Sequence, residues 1–196
     1  MPKVGGIGQA TILEPSTAKA ILAEMKGELR MIFLIGLHTA ARWGEIVQLK
    51  RLDCYDDKGC PRAYITFGSD IQKQSAGHKP QTRQIPTRLS LQSELKDYQG
   101  NGMISEWMFP AKDPSQHLTA KAASMRFKRF LKSQGLGDMG ISTHSTRRTF
   151  ATLMQHELSP KELMQLTGHK SLSSLQRYLE VDPRKIEKVM IKTDFS

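Results

Sequence analysis

The residues best equipped for chemistry lie in one stretch toward the end of the chain, from His144 to Tyr178. It reads His144-Ser-Thr-Arg147, then Leu166-Thr-Gly168-His169-Lys, then Gln176-Arg177-Tyr178. Residues three apart on a helix share a face, so His144 and Arg147 would point an imidazole and a guanidinium the same way. That pairing suits phosphate oxygens, because arginine presents a planar fork of donors. Gly168-His169 reads as a turn between two helices, with Tyr178 near the end of the second. A phenol with a pKa near 10 is a poor nucleophile at neutral pH, and nearby cations favour its ionised form. Each residue also has an ordinary reading. Tyr178 could be core or surface, and His169 a helix-cap donor. Further upstream, Arg42 and Glu45 in Thr39-Ala-Ala-Arg42-Trp-Gly-Glu45 could be a simple i,i+3 ion pair.

The order Arg42 with Glu45, His144-x-x-Arg147, Gly168-His169 and then Tyr178 nine residues on resembles the tyrosine recombinases, the phage integrase family. The resemblance covers roughly residues 12 to 190. It implies DNA cleavage and rejoining by transesterification, with Tyr178 as nucleophile, a 3′-phosphotyrosine intermediate and a free 5′-hydroxyl. Arg42 and Arg147 would clamp the phosphorane, His169 would add a hydrogen bond there, and His144 would act beside the nucleophile as donor or proton acceptor. Glu45 would hold the arginine box in place. The family's general acid is a lysine shortly before a Val/Ile-Pro pair. Here that pair is Ile85-Pro86, which points to Lys79, with Lys73 as the alternative in the same long connection. No cofactor, metal or ATP is implied. The implied partners are double-stranded recombination sites and, in the full protein, further copies of the chain in a tetrameric synapse. The chain departs from the family at Ala40-Ala41, where glycine is frequent, at Thr146, where leucine is, and at Arg148, where histidine is. Arg148 and Arg177 have no assigned role.

Composition agrees with a polyanionic partner. With 29 Lys+Arg against 19 Asp+Glu in 196 residues, the formal charge is +10 and the pI about 9.7, a balance that favours nucleic acid over a membrane surface. No apolar run reaches the roughly 20 residues of a membrane span, and the start lacks a signal peptide's apolar segment, so the expected compartment is the cytoplasm; the family resemblance implies a prokaryotic cell, or a gene carried by a phage or mobile element. Cys54 and Cys60 flank a polar loop and read as free thiols.

The elements that must position these residues follow from pattern. Residues 1–11 are Gly-rich and read as a flexible lead-in to a catalytic domain over 12–196, the family's N-terminal DNA-clasping domain being absent, so that the sequence reads as a fragment. Ser16 is an N-cap candidate for a helix ending near Gly27, and Glu28–Leu37 reads as a buried helix. His38–Ala41 is a short connection, and a helix over Gly44–Leu49 sends Ile46, Val47 and Leu49 inward. Residues 62–68 and Thr82–Thr87 read as two antiparallel strands joined by a long, basic, mobile connection. Helices follow over Leu89–Tyr98 and Thr119–Ser133, with a turn at Gly100–Gly102 and an apolar plug at Trp107–Pro110. Ala122, Met125, Phe127, Phe130 and Leu131 are available for burial, while Lys121, Arg126, Lys128 and Arg129 offer a basic face, either simply solvated or set against DNA phosphates. Helices led by His144 and Pro160 bring Tyr178, and Pro183–Ile191 forms a last amphipathic helix that packs on its own domain or on a neighbour. The fold class is α+β, mainly helical with a small antiparallel sheet. Two other functions fit parts of the pattern. Pro160–Leu179 could be a helix-turn-helix regulator, and a type IB topoisomerase-like nicking-closing enzyme shares the chemistry.

Overall fold

The computed structural model describes residues 8–72, 81–98, 105–176 and 178–179. Lys73, Lys79, Arg177, the turn at residues 100–102 and the final amphipathic segment at 183–191 lie outside the described residues. The fold is α+β, with helices α1 (Pro15–Glu24), α2 (Gly27–Thr39), α3 (Trp43–Ile46) and α4 (Arg51–Cys54), strands β1 (Tyr64–Phe67) and β2 (Arg83–Pro86), then α5 (Leu89–Tyr98), α6 (Ala120–Ser133), α7 (Thr143–Met154), α8 (Pro160–Thr167) and α9 (Leu172–Gln176). The strands pair antiparallel, with Ile65 opposite Ile85.

Helix α2 is the axis. Met31 to Ile35 are all buried, and the helix packs against α7, α5, α6 and α1. Its close approach to α7 depends on Gly36, where a Cβ would stand 2.8 Å from Thr146 Oγ1. Helix α6 buries Ala123, Phe127 and Leu131, an i, i+4, i+8 stripe. Phe127 sits between Phe33, at 5.6 Å between ring centroids, and Trp43, at 5.0 Å. Met125 falls off that stripe and is exposed, contrary to the sequence expectation, while Ala122 and Phe130 are only partly buried. A second, smaller core gathers Ala40, Phe150, Ala151, Leu163 and Leu175 under Tyr178.

Local chemistry explains most element boundaries. Helix α1 starts two residues earlier than a Ser16 cap would place it, because Pro15 takes the first helical position and leaves Glu14 as N-cap. Ser159 and Glu162 close a reciprocal capping box on α8, and the Thr119 hydroxyl caps α6. Helix α2 runs to Thr39, past the Leu37 expected, and stops where Ala40 takes a left-handed φ of 54°. That conformation is unfavourable for a residue with a Cβ, which accounts for the glycine frequent at this point in the family.

The expectation of a flexible lead-in fails for the last residues of that segment. Ala10 is buried, and Thr11 donates to the Met139 carbonyl at 2.6 Å. The Thr149 hydroxyl accepts from the Leu13 amide at 2.8 Å, and Arg148 donates to the Ala10 carbonyl. Arg148 therefore fastens the segment before α1 to α7. Cys54 is buried and Cys60 exposed, both as free thiols.

Candidate active site

Arg42 and Arg147 reach the site through a bond between their neighbours. The Trp43 indole donates to Thr146 Oγ1 at 3.4 Å, joining α3 to α7 one residue away from each arginine. The threonine that replaces the family's frequent leucine thus has a partner. Arg42 is the N-cap residue of α3. Its backbone N–H donates to Glu45 Oε2 at 3.1 Å and its guanidinium to Oε1 at 2.9 Å. Glu45 is only 2% exposed and takes a second guanidinium, Arg83 Nη2, at 2.8 Å. Burial pushes the Glu45 carboxyl up, but Arg83 and then Arg42 outweigh it and hold it below the usual carboxylate range. Glu45 thus makes the i,i+3 ion pair with Arg42 and a second ion pair with Arg83.

Arg147 is buried from the opposite side. Its Nη1 donates to the carbonyls of Ala40 at 2.7 Å and Thr167 at 2.6 Å. Its Nη2 lies 3.0 Å from His169 Nε2. Because arginine can only donate, Nε2 is the acceptor and the imidazole proton sits on Nδ1, 2.7 Å from Thr167 Oγ1. Three of the five guanidinium donors are thereby used, and Nε has no partner among the described residues. Burial, followed by Arg42, pushes the Arg147 pKa down to about 9, which leaves it charged at neutral pH. His169 is pushed down to about 3, by burial first and then by Arg147, Arg42 and Arg83.

Arg42, Glu45, His144 and Arg147 line one open cavity of about 480 Å³, together with Ala120 at the start of α6 and Asp70 to Gln72 leading out of β1. His144 is exposed and also lines a second cavity of about 230 Å³ with Tyr178, Gln9, Ala10 and Arg148. Tyr178 lies just beyond α9. Its backbone N–H donates to the Leu175 carbonyl at 2.7 Å, and its own carbonyl accepts from Thr152 Oγ1 at 3.2 Å. Its ring packs 4.8 Å from the His169 ring, with the Arg147 guanidinium 5.7 Å from its centroid. Five of the residues singled out in the sequence, Arg42, His144, Arg147, His169 and Tyr178, therefore converge.

Arg83 is the member that sequence reasoning missed. It is 9% exposed on β2, lies over the Phe67 ring at 5.3 Å and presses against Gly168. That glycine has φ +68°, and a Cβ there would collide with Arg83 Nη1, so the turn needs glycine twice over. The only signal for Arg83 was a cation at a strand position facing the core, two residues from the inward Ile85. Among the α6 cations, Lys121, Arg126, Lys128 and Arg129 are all exposed, but Arg126 pairs with Glu28 at 2.7 Å. The helix-turn-helix reading loses ground, since α9 has five residues with Leu175 buried, little more than one turn to offer a groove.

The depressed pKa values of His169 and Glu45 give a pH prediction. Below the ordinary histidine value of 6.5 the unfolded chain binds a proton that native His169 refuses until about pH 3. The stability contributed by the neutral imidazole is therefore complete above pH 6.5 and lost as pH falls through that window. Glu45 loses its contribution in the same direction, below the usual carboxylate range. Urea unfolding midpoints should drop between about pH 7 and about pH 5, and His169→Gln should flatten that part of the curve. An unchanged slope in the variant would show that another group carries it.

The phage integrase family model matches residues 11–185. The chain belongs to the phage integrase family. Among curated proteins, the tyrosine recombinase XerD of Brucella suis is 28% identical over 112 residues, 57% of this chain and 36% of that protein, and XerD of Brucella melitensis gives the same figures. The chain thus spans about a third of the length of these relatives. Among solved structures, the integrase of transposon Tn1549 bound to a circular intermediate DNA superposes with a TM-score of 0.73 at 16% identity, covering 94% of this chain and 66% of that one. XerA recombinase gives 0.71 at 17%, covering 96% and 68%. A lambda integrase dimer bound to a core site gives 0.64 at 21%, covering 88% and 48%. These likenesses establish the tyrosine-recombinase catalytic fold. Among the described residues no helix is long and apolar enough to cross a membrane.

Proposed function

We propose that this chain is the catalytic domain of a site-specific DNA recombinase that cuts and rejoins DNA through Tyr178. The observation that carries the reading is the convergence of two guanidiniums, the part-exposed Arg42 and the buried Arg147, on one cavity beside His144, with the Tyr178 ring against Arg147 and His169. In the cleavage step Tyr178 Oη attacks the scissile phosphorus, the P–O5′ bond breaks and a 3′-phosphotyrosine forms. Arg42 and Arg147 stabilise charge on the non-bridging oxygens. Arg147 retains Nε–H and one Nη2 hydrogen for this. His144, which shares a cavity with Tyr178, takes the phenol proton. A lysine of the β1–β2 connection, Lys79 or Lys73, protonates the leaving oxygen. Rejoining reverses these steps with a 5′-hydroxyl as nucleophile. One phosphodiester is exchanged for another, so no ATP is needed. In the full protein, self-association on paired sites would give the tetrameric synapse.

The test is a suicide DNA substrate, nicked so that cleavage cannot reverse, incubated in EDTA. A protein–DNA adduct that survives denaturation and maps to the Tyr178 peptide is the expected result. No adduct with the full-length protein on its own site would leave a DNA-binding module as the better account.

The basic face of α6 gives a graded prediction. Each phosphate contact contributes about 0.9 to the slope of log affinity against log salt. Lys121 adjoins the cavity residue Ala120, so Lys121→Ala should lower the slope by about that amount. Arg126→Ala should lower it less, because Glu28 already offsets that charge. Slopes unchanged from wild type in both variants would remove α6 from the interface.

A further inference from the structure

Thr167 joins the clamp from two sides at once. Its carbonyl accepts from Arg147 Nη1 at 2.6 Å, and its hydroxyl lies 2.7 Å from His169 Nδ1. The same hydroxyl is 2.6 Å from the Leu163 carbonyl, which can only accept. The proton directions are then fixed along the whole row. Thr167 Oγ1 donates to Leu163, so its lone pairs accept from His169 Nδ1–H, and His169 Nε2 accepts from Arg147 Nη2. Thr167 is fully buried, so water has no access to replace any of these bonds. A hydrogen bond to one ring nitrogen decides what the other can do.

We propose that Thr167 is a positioning residue for the phosphate clamp, holding His169 in the tautomer whose Nε2 accepts from Arg147 and so fixing the guanidinium that faces the DNA. Nothing reacts at Thr167, which acts only through His169 and through its own carbonyl. The depressed His169 pKa fits the same picture, since a neutral ring can accept where an imidazolium could not.

This inference rests on the recombinase reading for its activity readout, and a second readout is independent of DNA. Two substitutions separate hydrogen bonding from packing. Thr167→Val keeps the shape and removes the hydroxyl, whereas Thr167→Ser keeps the hydroxyl and leaves a methyl-sized gap. Nitrogen-15 NMR of the imidazoles in the DNA-free protein should show His169 as the Nδ1–H tautomer in the wild type and Thr167→Ser, with that signal lost or exchange-broadened in Thr167→Val. Suicide-substrate cleavage should fall about 10- to 100-fold in Thr167→Val, the scale for removing the second partner of a site histidine, and stay within about threefold of wild type in Thr167→Ser. The reverse ranking, valine near wild type and serine impaired, would show a packing role and overturn the proposal. An Nε2–H tautomer in the wild type would overturn it as well. If the wild-type chain formed no adduct, the recombinase reading would fall while the NMR comparison still decided Thr167.

Discussion

Replacing Tyr178 by phenylalanine should remove the covalent protein–DNA adduct altogether, while DNA affinity and thermal stability stay near wild type. The contacts that seat Tyr178 run through its ring and backbone: the His169 ring at 4.8 Å, the Arg147 guanidinium at 5.7 Å, and backbone bonds to Leu175 and Thr152. Phenylalanine keeps all of these and deletes only the oxygen that would attack phosphorus. Losing a nucleophile outright costs at least about 10⁴-fold in rate, because the rest of the site has nothing else to form the covalent bond. Suicide-substrate cleavage followed on a denaturing gel supplies the measurement. Tyr64→Phe is the matched control, since Tyr64 is exposed on β1 and takes no part in the cavity. Adduct at wild-type level in Tyr178→Phe would place the nucleophile elsewhere and sink the assignment.

Glu45→Ala should be the most damaging change to stability. It removes the carboxylate shared by Arg42 and Arg83 and strands Arg83, whose side chain is 8% exposed, without that counter-ion. Breaking a buried pair by deleting one partner costs about 3–5 kcal/mol, much of the stability of a domain this size. Cleavage should fall as well, since the Arg42 guanidinium loses its tether. Adding Arg83→Met should restore most of the stability, because an apolar side chain over Phe67 needs no counter-ion, but it should not restore cleavage. Urea unfolding of the two single variants and the double variant gives the coupling directly. A Glu45→Ala loss below about 1 kcal/mol would show the pair to be solvated instead.

How far the sequence could lead depended on the range of each interaction. His144 and Arg147 were legible because their spacing on α7 is local, and so was the turn at Gly168-His169, which is written in neighbouring residues. The strands and their antiparallel pairing were legible for the same reason. Arg83 was not, because its meaning lies in a carboxylate 38 positions away and in a glycine on another helix turn. Thr167 read only as a residue before a turn, although its hydroxyl sets the state of the site histidine. The one-turn helix α4 carries too few residues for any periodicity to declare itself. Arg148 had no role in the sequence reading, since its partner is the Ala10 carbonyl, 138 positions upstream.

The seat of Arg147 has a consequence for how the protein is made. One carbonyl that holds it belongs to Ala40 and the other to Thr167, so the guanidinium is braced by residues separated by most of the chain. A ribosome that has released residues 1 to 140 has produced Arg42, Glu45 and Arg83, but neither the second arginine nor the peptide that grips it. Arg147 follows, and its grip is completed only with Thr167 and His169. Tyr178 arrives last. On the recombinase reading proposed above, a chain that ends before Tyr178 would hold both arginines without the nucleophile.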